Sequence, residues 1–333
     1  MKTVKVGLLG IGNVGSGAFQ ILSMNADSIT KASGREIAVA GVLARDKHKK
    51  RDIDINPDII TDDPDEILKN PDIDIVVEAL GGIEPATTFM LSAMKNGKHV
   101  VTANKAAVAA NYDKLTAAAS ENGVQFKFEA SVGGGIPILN AIDTVLRGNE
   151  FTEIMGIVNG TTNYILTKMA EEKLPYEVAL KNAQELGFAE ADPTADVEGI
   201  DVANKLTILM ALAFGEYVKP ENIPTEGISK ITASDIEDAA AKGCKIKLIA
   251  HAKLSCTGGA DCEGCKGNGK LEYSVKPMLL PNDHPLAGVS NEFNAVFVTG
   301  NAVGELMFYG RGAGAFPTGS AVVGDIIEIA KLI

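Results

Sequence analysis

Asp201 and Lys205 stand four residues apart in the stretch EADPTADVEGIDVANK. On a helix both point from one face, with Asn204 between them. The residues that follow, among them Ile208, Leu209, Met210, Leu212 and Phe214, are apolar around nearly the whole circumference, which predicts a helix buried on most sides. A carboxylate and an ammonium carried into such surroundings cost desolvation unless they pair or face a polar cavity. As an ordinary exposed pair they would contribute only roughly a few tenths of a kcal/mol. Glu190, Asp192 and Asp196 precede them in a Pro- and Asp-bearing stretch that reads as loop. The chemistry open to these residue types is proton transfer and the binding of a small polar substrate. None of the four histidines, His48, His99, His251 and His284, stands in a catalytic setting, so lysine must do the proton work.

Elements that could position such a site are legible upstream. Gly10, Gly12 and Gly15 follow the apolar run VKVGLL and open an apolar-periodic segment, so G-x-G-x-x-G stands in the strand, turn, helix context of a dinucleotide fingerprint. Gly10 permits the tight turn, Gly12 lets a pyrophosphate approach the backbone, and Gly15 lets the helix pack against the strand. The second strand, IAVAGVLARD, ends at Arg45 and Asp46. Arginine there pairs with a 2′-phosphate and an acid with a ribose hydroxyl. Arg45 comes first, which favours NADP and leaves NAD possible. Further strands over 73–80, 99–104 and 124–131 alternate with helical segments, and Gly81 and Lys105 fall at carboxyl ends of strands, where ligands of such sheets bind.

After Glu129 come glycines 133 to 135, whose carbonyls together with that carboxylate could make a hard-cation site, or simply a tight strand-to-helix turn with its helix starting at Pro137. A strand over 151–160, helices over 161–172 and 175–187, and strands near 271–280 and 294–309 follow. Thr161 and Thr162 sit where a helix cap is needed. The closing helix, about 318–331, is apolar through Val322, Val323, Ile326, Ile327 and Ala330 and returns to the first sheet. The expected fold is therefore α/β, a Rossmann-type doubly wound parallel sheet with an inserted α+β substrate and dimerisation domain. Residues 1–130 plus 305–333 form the dinucleotide-binding domain, and 131–304 the inserted one.

Composition narrows the classes. The 333 residues are 46% hydrophobic and 22% charged, which excludes disorder, and 31 basic against 43 acidic side chains leave a net charge of −12. That balance speaks against binding nucleic acid over a broad surface. No apolar run reaches the roughly twenty residues of a membrane span, and the N-terminus lacks a cleavage site, so a cytoplasmic location is expected. Cys256, Cys262 and Cys265 cluster in a Gly-rich insert downstream of Cys244. The spacing half-matches a metal or redox site, and free thiols in a loop are the default.

GLLGIGNVGSG, TANK at 102–105, EASVGGGIPI at 129–138, GIVNGTTNYIL at 156–166, the EADP to VANK stretch and GRGAGAFPTGSAVVGDI at 310–326 occur in this order. From about residue 4 to the end, the chain resembles homoserine dehydrogenases. The resemblance implies a reversible NAD(P)-linked interconversion of L-homoserine and L-aspartate 4-semialdehyde by a homodimer. It also implies Lys205 as proton donor, Asp201 and Glu190 as substrate-binding carboxylates, and Lys105 between nicotinamide and substrate. Ile11, Asn13, Val14, Arg45, Gly187 and Gly304 fall at cofactor-contact positions, and Glu129 with the carbonyls of Val132, Gly134 and Ile136 matches a monovalent cation site, usually sodium. Many members carry a regulatory domain beyond the core. The chain stops at 333, so feedback inhibition through such a domain is not expected. Two rivals share the glycines: an amino-acid dehydrogenase acting at the α-carbon, which would not need the 190–205 series, and a nucleotide sensor indifferent to Lys205.

Overall fold

A computed structural model describes residues 3–47, 49, 51–255 and 269–333. Cys256, Cys262, Cys265 and His48 lie outside the described residues. The chain divides into two compact units, Met1–Pro137 with Ala313–Ile333, and Ile138–Gly312.

The first unit carries β1 (Val4–Leu9), α1 (Asn13–Met24), α2 (Ala26–Ser33), β2 (Ile37–Leu43), β3 (Ile60–Thr61), α3 (Asp65–Leu68), β4 (Ile75–Glu78), α4 (Ala86–Lys95), β5 (His99–Thr102), α5 (Lys105–Glu121) and β6 (Phe126–Lys127). The chain's last helix, α12 (Ala315–Ala330), belongs to it as well. The strands form one parallel sheet in the order β3-β2-β1-β4-β5-β6. Alternation along each strand feeds two cores. Val4, Val6, Leu8, Ile75, Val77 and Val101 face one way, towards Ala18 and Leu22 of α1 and Val322, Val323, Ile326 and Ile329 of α12. Leu9, Val76 and Val100 face the other way, towards Met90 and Met94 of α4 and Leu115 of α5. Burial on both faces is why these strands read as unbroken apolar runs.

Two glycines let α12 lie against α1. A Cβ on Gly17 would stand 2.0 Å from the Ala315 carbonyl oxygen, and one on Gly319 would stand 2.7 Å from the Ala18 nitrogen. Of the face expected for the closing helix, Ile327 is only half-buried and Ile329 takes its place. The strand expected over 124–131 shrinks to β6 and is followed by a 3-10 turn, Glu129–Ser131. The Glu129 N–H leaves the ladder and donates instead to the carboxylate of Asp325, 196 residues on, at 2.9 Å.

The second unit contains α6 (Ile138–Asn140), β7 (Phe151–Ile157), α7 (Gly160–Glu171), α8 (Tyr176–Glu185), α9 (Thr194–Val197), α10 (Ile200–Ala213), α11 (Ala233–Ala241), β8 (Cys244–Ser255), β9 (Lys270–Pro281), β10 (Phe293–Gly300) and β11 (Gly304–Arg311). Its sheet is antiparallel, β11-β10-β7-β8-β9. The segment expected as a strand over 294–309 is a hairpin, β10 paired with β11 from Phe293 opposite Arg311 to Gly300 opposite Gly304. A boundary at 304/305 would cut this ladder away from its partner, so the change of unit falls after Gly312. Residues 131–137 likewise stay with the first unit, where a Cβ on Gly135 would stand 3.1 Å from Pro317.

Inside the second unit β8 buries a lysine. Lys247 is 2% exposed, and its ammonium donates to Val289 O at 2.6 Å and Asn163 Oδ1 at 3.0 Å. Burial lowers its pKa from 10.5 to about 8, opposed weakly by Glu171. A base whose folded pKa lies below its unfolded value binds fewer protons when native, so stability rises with pH between the two values. Urea unfolding of the wild type and Lys247→Met should therefore give a difference that moves in the wild type's favour by up to about 3 kcal/mol between pH 8 and 10.5. A difference flat across that window would contradict the assignment.

Candidate active site

The glycine loop closes the gap between β1 and α1. Gly10 has φ of 104°, and a Cβ there would meet the Ala79 carbonyl oxygen at 2.8 Å. On Gly15 a Cβ would lie 2.2 Å from Gly10 O, whereas nothing stands within 4 Å of one on Gly12. Turn, close packing and open approach are thus divided among the three as the fingerprint requires. No side chain caps α1 and its first turn carries no acid, which leaves backbone N–H groups and the positive end of the helix for an anion. Ile11 and Val14 are half-buried and Asn13 exposed at this turn. Beyond β2, Arg45 is exposed, and Asp46 serves its own loop, accepting from Lys49 N at 3.1 Å and, through its carbonyl, from Arg51 at 2.6 Å.

Gly81 and Gly82 follow β4 with φ of 82° and 72° and are exposed. Lys105 is the first residue of α5, and Asn104 caps the helix by accepting from Ala107 N at 3.1 Å. Strand order reverses between β1 and β4, the switch point beside which open parallel sheets bind ligands.

Glu129 is 6% exposed. Val132 N–H donates to Glu129 O at 3.3 Å and Ile136 N–H to Gly133 O at 3.0 Å, with Gly133 and Gly134 left-handed at φ 72° and 57°. Beside them burial pushes Asp325 up to about 8, and the Glu129 carboxylate adds to the rise. A tightly bent glycine segment against a buried carboxylate fits a cation of low charge held by oxygens. Among the described residues no three His, Cys, Asp or Glu side chains converge as metal ligands.

In the second unit Gly199, at φ 80°, starts α10, and Asp201 lies in its first turn, where the helix dipole favours a carboxylate. Lys205 Nζ donates to Asp201 Oδ2 at 2.7 Å and to Val158 O at 2.6 Å. The two side chains are 10% and 6% exposed, so the small energy of a surface pair does not apply. Asn159, the cap of α7, donates through Nδ2 to Asp201 Oδ2 and Asp196 Oδ1, each at 2.8 Å, while its Oδ1 accepts from Thr162 N. Thr161 Oγ1 donates to Phe188 O at 2.6 Å and reaches Asp196 Oδ2 at 3.3 Å. Burial pushes the Asp196 carboxyl up.

The structure thus brings Asp201 and Lys205 together and adds Asp196, which reads as loop, and Asn159, which falls in the strand expected over 151–160. Asn159 is the cap of α7, and Thr161 and Thr162, expected at the cap, lie in the first turn of the helix. Asp192 is exposed and accepts from Thr194 N and Oγ1 just before α9, hydrogen bonds that hold it below the usual carboxylate range. Glu190 is exposed, with its backbone carbonyl accepting from Gln184 Nε2. Gly187 and Gly304 are left-handed and exposed, after α8 and at the β10 to β11 turn. Gly10, Ile11, Gly12, Asn13, Val14, Gly15, Arg45, Gly81, Lys105, Glu129, Val132, Gly134 and Ile136 belong to the first unit, and Gly187, Glu190, Asp201, Lys205 and Gly304 to the second.

Comparison with known families matches residues 10–129 to the NAD binding domain of homoserine dehydrogenase and residues 137–327 to the homoserine dehydrogenase model. The chain belongs to the homoserine dehydrogenase family. It is 46% identical to the homoserine dehydrogenase of Bacillus subtilis over 331 residues, 99% of this chain and 74% of that protein. A homoserine dehydrogenase from Thiobacillus denitrificans superposes with a TM-score of 0.90 at 43% identity, covering 100% of this chain and 74% of that one. A hyperthermophilic archaeal homoserine dehydrogenase in complex with NADPH gives 0.80 at 28% identity, covering 100% and 99%. As a member of this family the chain is an oxidoreductase with a nicotinamide-cofactor domain, interconverting L-homoserine and L-aspartate 4-semialdehyde. No helix among the described residues is long and apolar enough to cross a membrane.

Gly12 separates binding from folding. Its φ of −77° suits alanine and the space around it is open. Gly12→Ala should keep the wild-type melting temperature while the calorimetric Kd for NADPH rises about tenfold or more. An unchanged Kd would show that no phosphate approaches this backbone.

Proposed function

We propose that in this chain Lys205 is the proton donor to the substrate oxygen and Asp201 the carboxylate that holds and aims it. The buried Lys205–Asp201 pair, at 2.7 Å and with Val158 O as a second acceptor, carries this reading. When bound, the nicotinamide supplies the hydride for reduction and receives it in oxidation. As the aldehyde carbon gains hydrogen its oxygen gains negative charge, which calls for a proton or a cation at that oxygen. Lys205 answers either need, and in oxidation the neutral amine takes the hydroxyl proton. Asp201 also accepts from the substrate hydroxyl. The cationic amino group of homoserine needs an acceptor, and Glu190 supplies it. Lys105 serves the substrate from the cofactor side.

Arg45 beyond β2, with Asp46 engaged in its own loop, supports NADP over NAD. Ile11, Asn13, Val14, Gly81, Gly187 and Gly304 are proposed cofactor contacts. Glu129 with the carbonyls of Val132, Gly134 and Ile136 is the proposed sodium site. A homodimer is supported by Met307 and Tyr309, 42% and 54% exposed on the edge strand β11. A cytoplasmic location completes the reading.

NADPH oxidation on adding aspartate semialdehyde, against pyruvate and oxaloacetate controls, tests the activity. Lys205→Ala should lose turnover by roughly two to four orders of magnitude while NADPH still binds. Wild-type turnover in that variant would remove Lys205 from the mechanism. Arg45→Ala should raise KM for NADPH about tenfold and leave that for NADH nearly unchanged. An equal effect on both cofactors would assign the preference elsewhere.

A further inference from the structure

Glu78 is the last residue of β4, and its register places it between Leu9, which feeds the glycine loop, and Thr102, which feeds the start of α5. It is fully buried, at 0% exposure. Every group around its carboxylate is a donor. Leu80 N–H donates to Oε1 at 2.7 Å and the Thr102 hydroxyl to Oε2 at 2.6 Å, with Asn104 Nδ2 at a longer 3.5 Å from Oε1. Thr102 Oγ1 accepts from Asn104 N at 3.0 Å, so its single proton goes to Glu78. Asn104 Nδ2 also donates to Gly82 O at 2.6 Å, which turns its Oδ1 towards Ala107 N as the cap of α5. A carboxylate accepts all of these at once, whereas an amide presents an N–H on one side, so that either the Leu80 N–H faces a donor or the Thr102 hydroxyl must turn its proton away.

From this arrangement we infer that Glu78 is a positioning residue for the reaction. It holds the Gly81–Gly82 turn through the Leu80 N–H, and through Thr102 and Asn104, whose Nδ2 donates to Gly82 O, it sets the first turn of α5 on which Lys105 stands. The inference rests on the proposed role of Lys105. A lysine carried on a long, flexible stem acts on a substrate only as accurately as its backbone is placed, and a misplacement of about 1 Å can cost about a hundredfold in rate.

The test measures kcat, KM for aspartate semialdehyde and NADPH affinity in Glu78→Gln, in Lys105→Ala and in the double variant, beside Thr102→Val and Thr102→Ser. Glu78→Gln should lower kcat about 10- to 100-fold with a smaller change in KM. In the Lys105→Ala background the same change should cost less than about threefold, because the group it positions is already gone. Thr102→Val, which removes the donor to Oε2 together with the acceptor of Asn104 N, should lower kcat likewise, and Thr102→Ser, which keeps both, should restore it. If Glu78→Gln does not fold, the Thr102 pair decides. Full multiplicative loss in the double variant, or equal kcat in Thr102→Val and Thr102→Ser, overturns the positioning role and leaves Lys105 untouched. Wild-type turnover in Lys105→Ala overturns the role of Lys105 and this inference with it.

Discussion

The constraint on which the second unit turns is the burial of a charge pair. Lys205 and Asp201 lie on a helix whose other buried residues, Val202, Leu206, Ile208, Leu209 and Met210, are those of a core. Removing an ammonium and a carboxylate from water costs several kcal/mol each, of order of magnitude, and their attraction offsets it only with good geometry and further hydrogen bonds. The surroundings supply both: the first turn of α10 for the carboxylate, Val158 O for the ammonium, and Asn159 bridging Asp201 to Asp196. The cap of α7 is thereby the same residue that orders the carboxylates. Fold and site share their hydrogen bonds, so neither can relax alone.

Four buried or half-buried acids show how environment, and not residue type, decides what a carboxyl does. Asp201 has a cation at 2.7 Å. Asp196, shielded from water, is pushed up towards its neutral form. Glu78, at the switch point of the parallel sheet, is met by donors alone. Asp325, beside Glu129, rises to about 8 because burial outweighs the one backbone N–H it accepts. The sheet's carboxyl edge and the bend at 133–134 are thus shaped electrostatically by two buried carboxyl groups, Glu78 and Asp325.

Backbone contact does comparable work in the first unit. Gly17 lies outside the G-x-G-x-x-G spacing and packs against the backbone of Ala315. It lets the end of the chain return, with α12 set against α1, and that return brings Asp325 to the Glu129 turn. Asp325, 196 residues on in the sequence, thus ends the last strand of the sheet by drawing off an N–H, and the glycine bend follows.

Local physics was enough for much of this. Strand periodicity, the glycine spacing after β1 and the four-residue step from Asp201 to Lys205 are short-range patterns, and each names an element and the side chains on one of its faces. The order of six motifs was enough for the family. What the chain alone could not state is which polar residues meet. Glu78 and Asn159 read as parts of strands, Asp196 as loop and Asp325 as one residue of the closing helix, while the hairpin of β10 and β11 reads as one strand because alternation does not mark its turn. Their partners are 24 to 196 residues away in sequence. Only the folded chain brings them within 3 Å, and desolvation, which turns such contacts into function, exists only once it has done so.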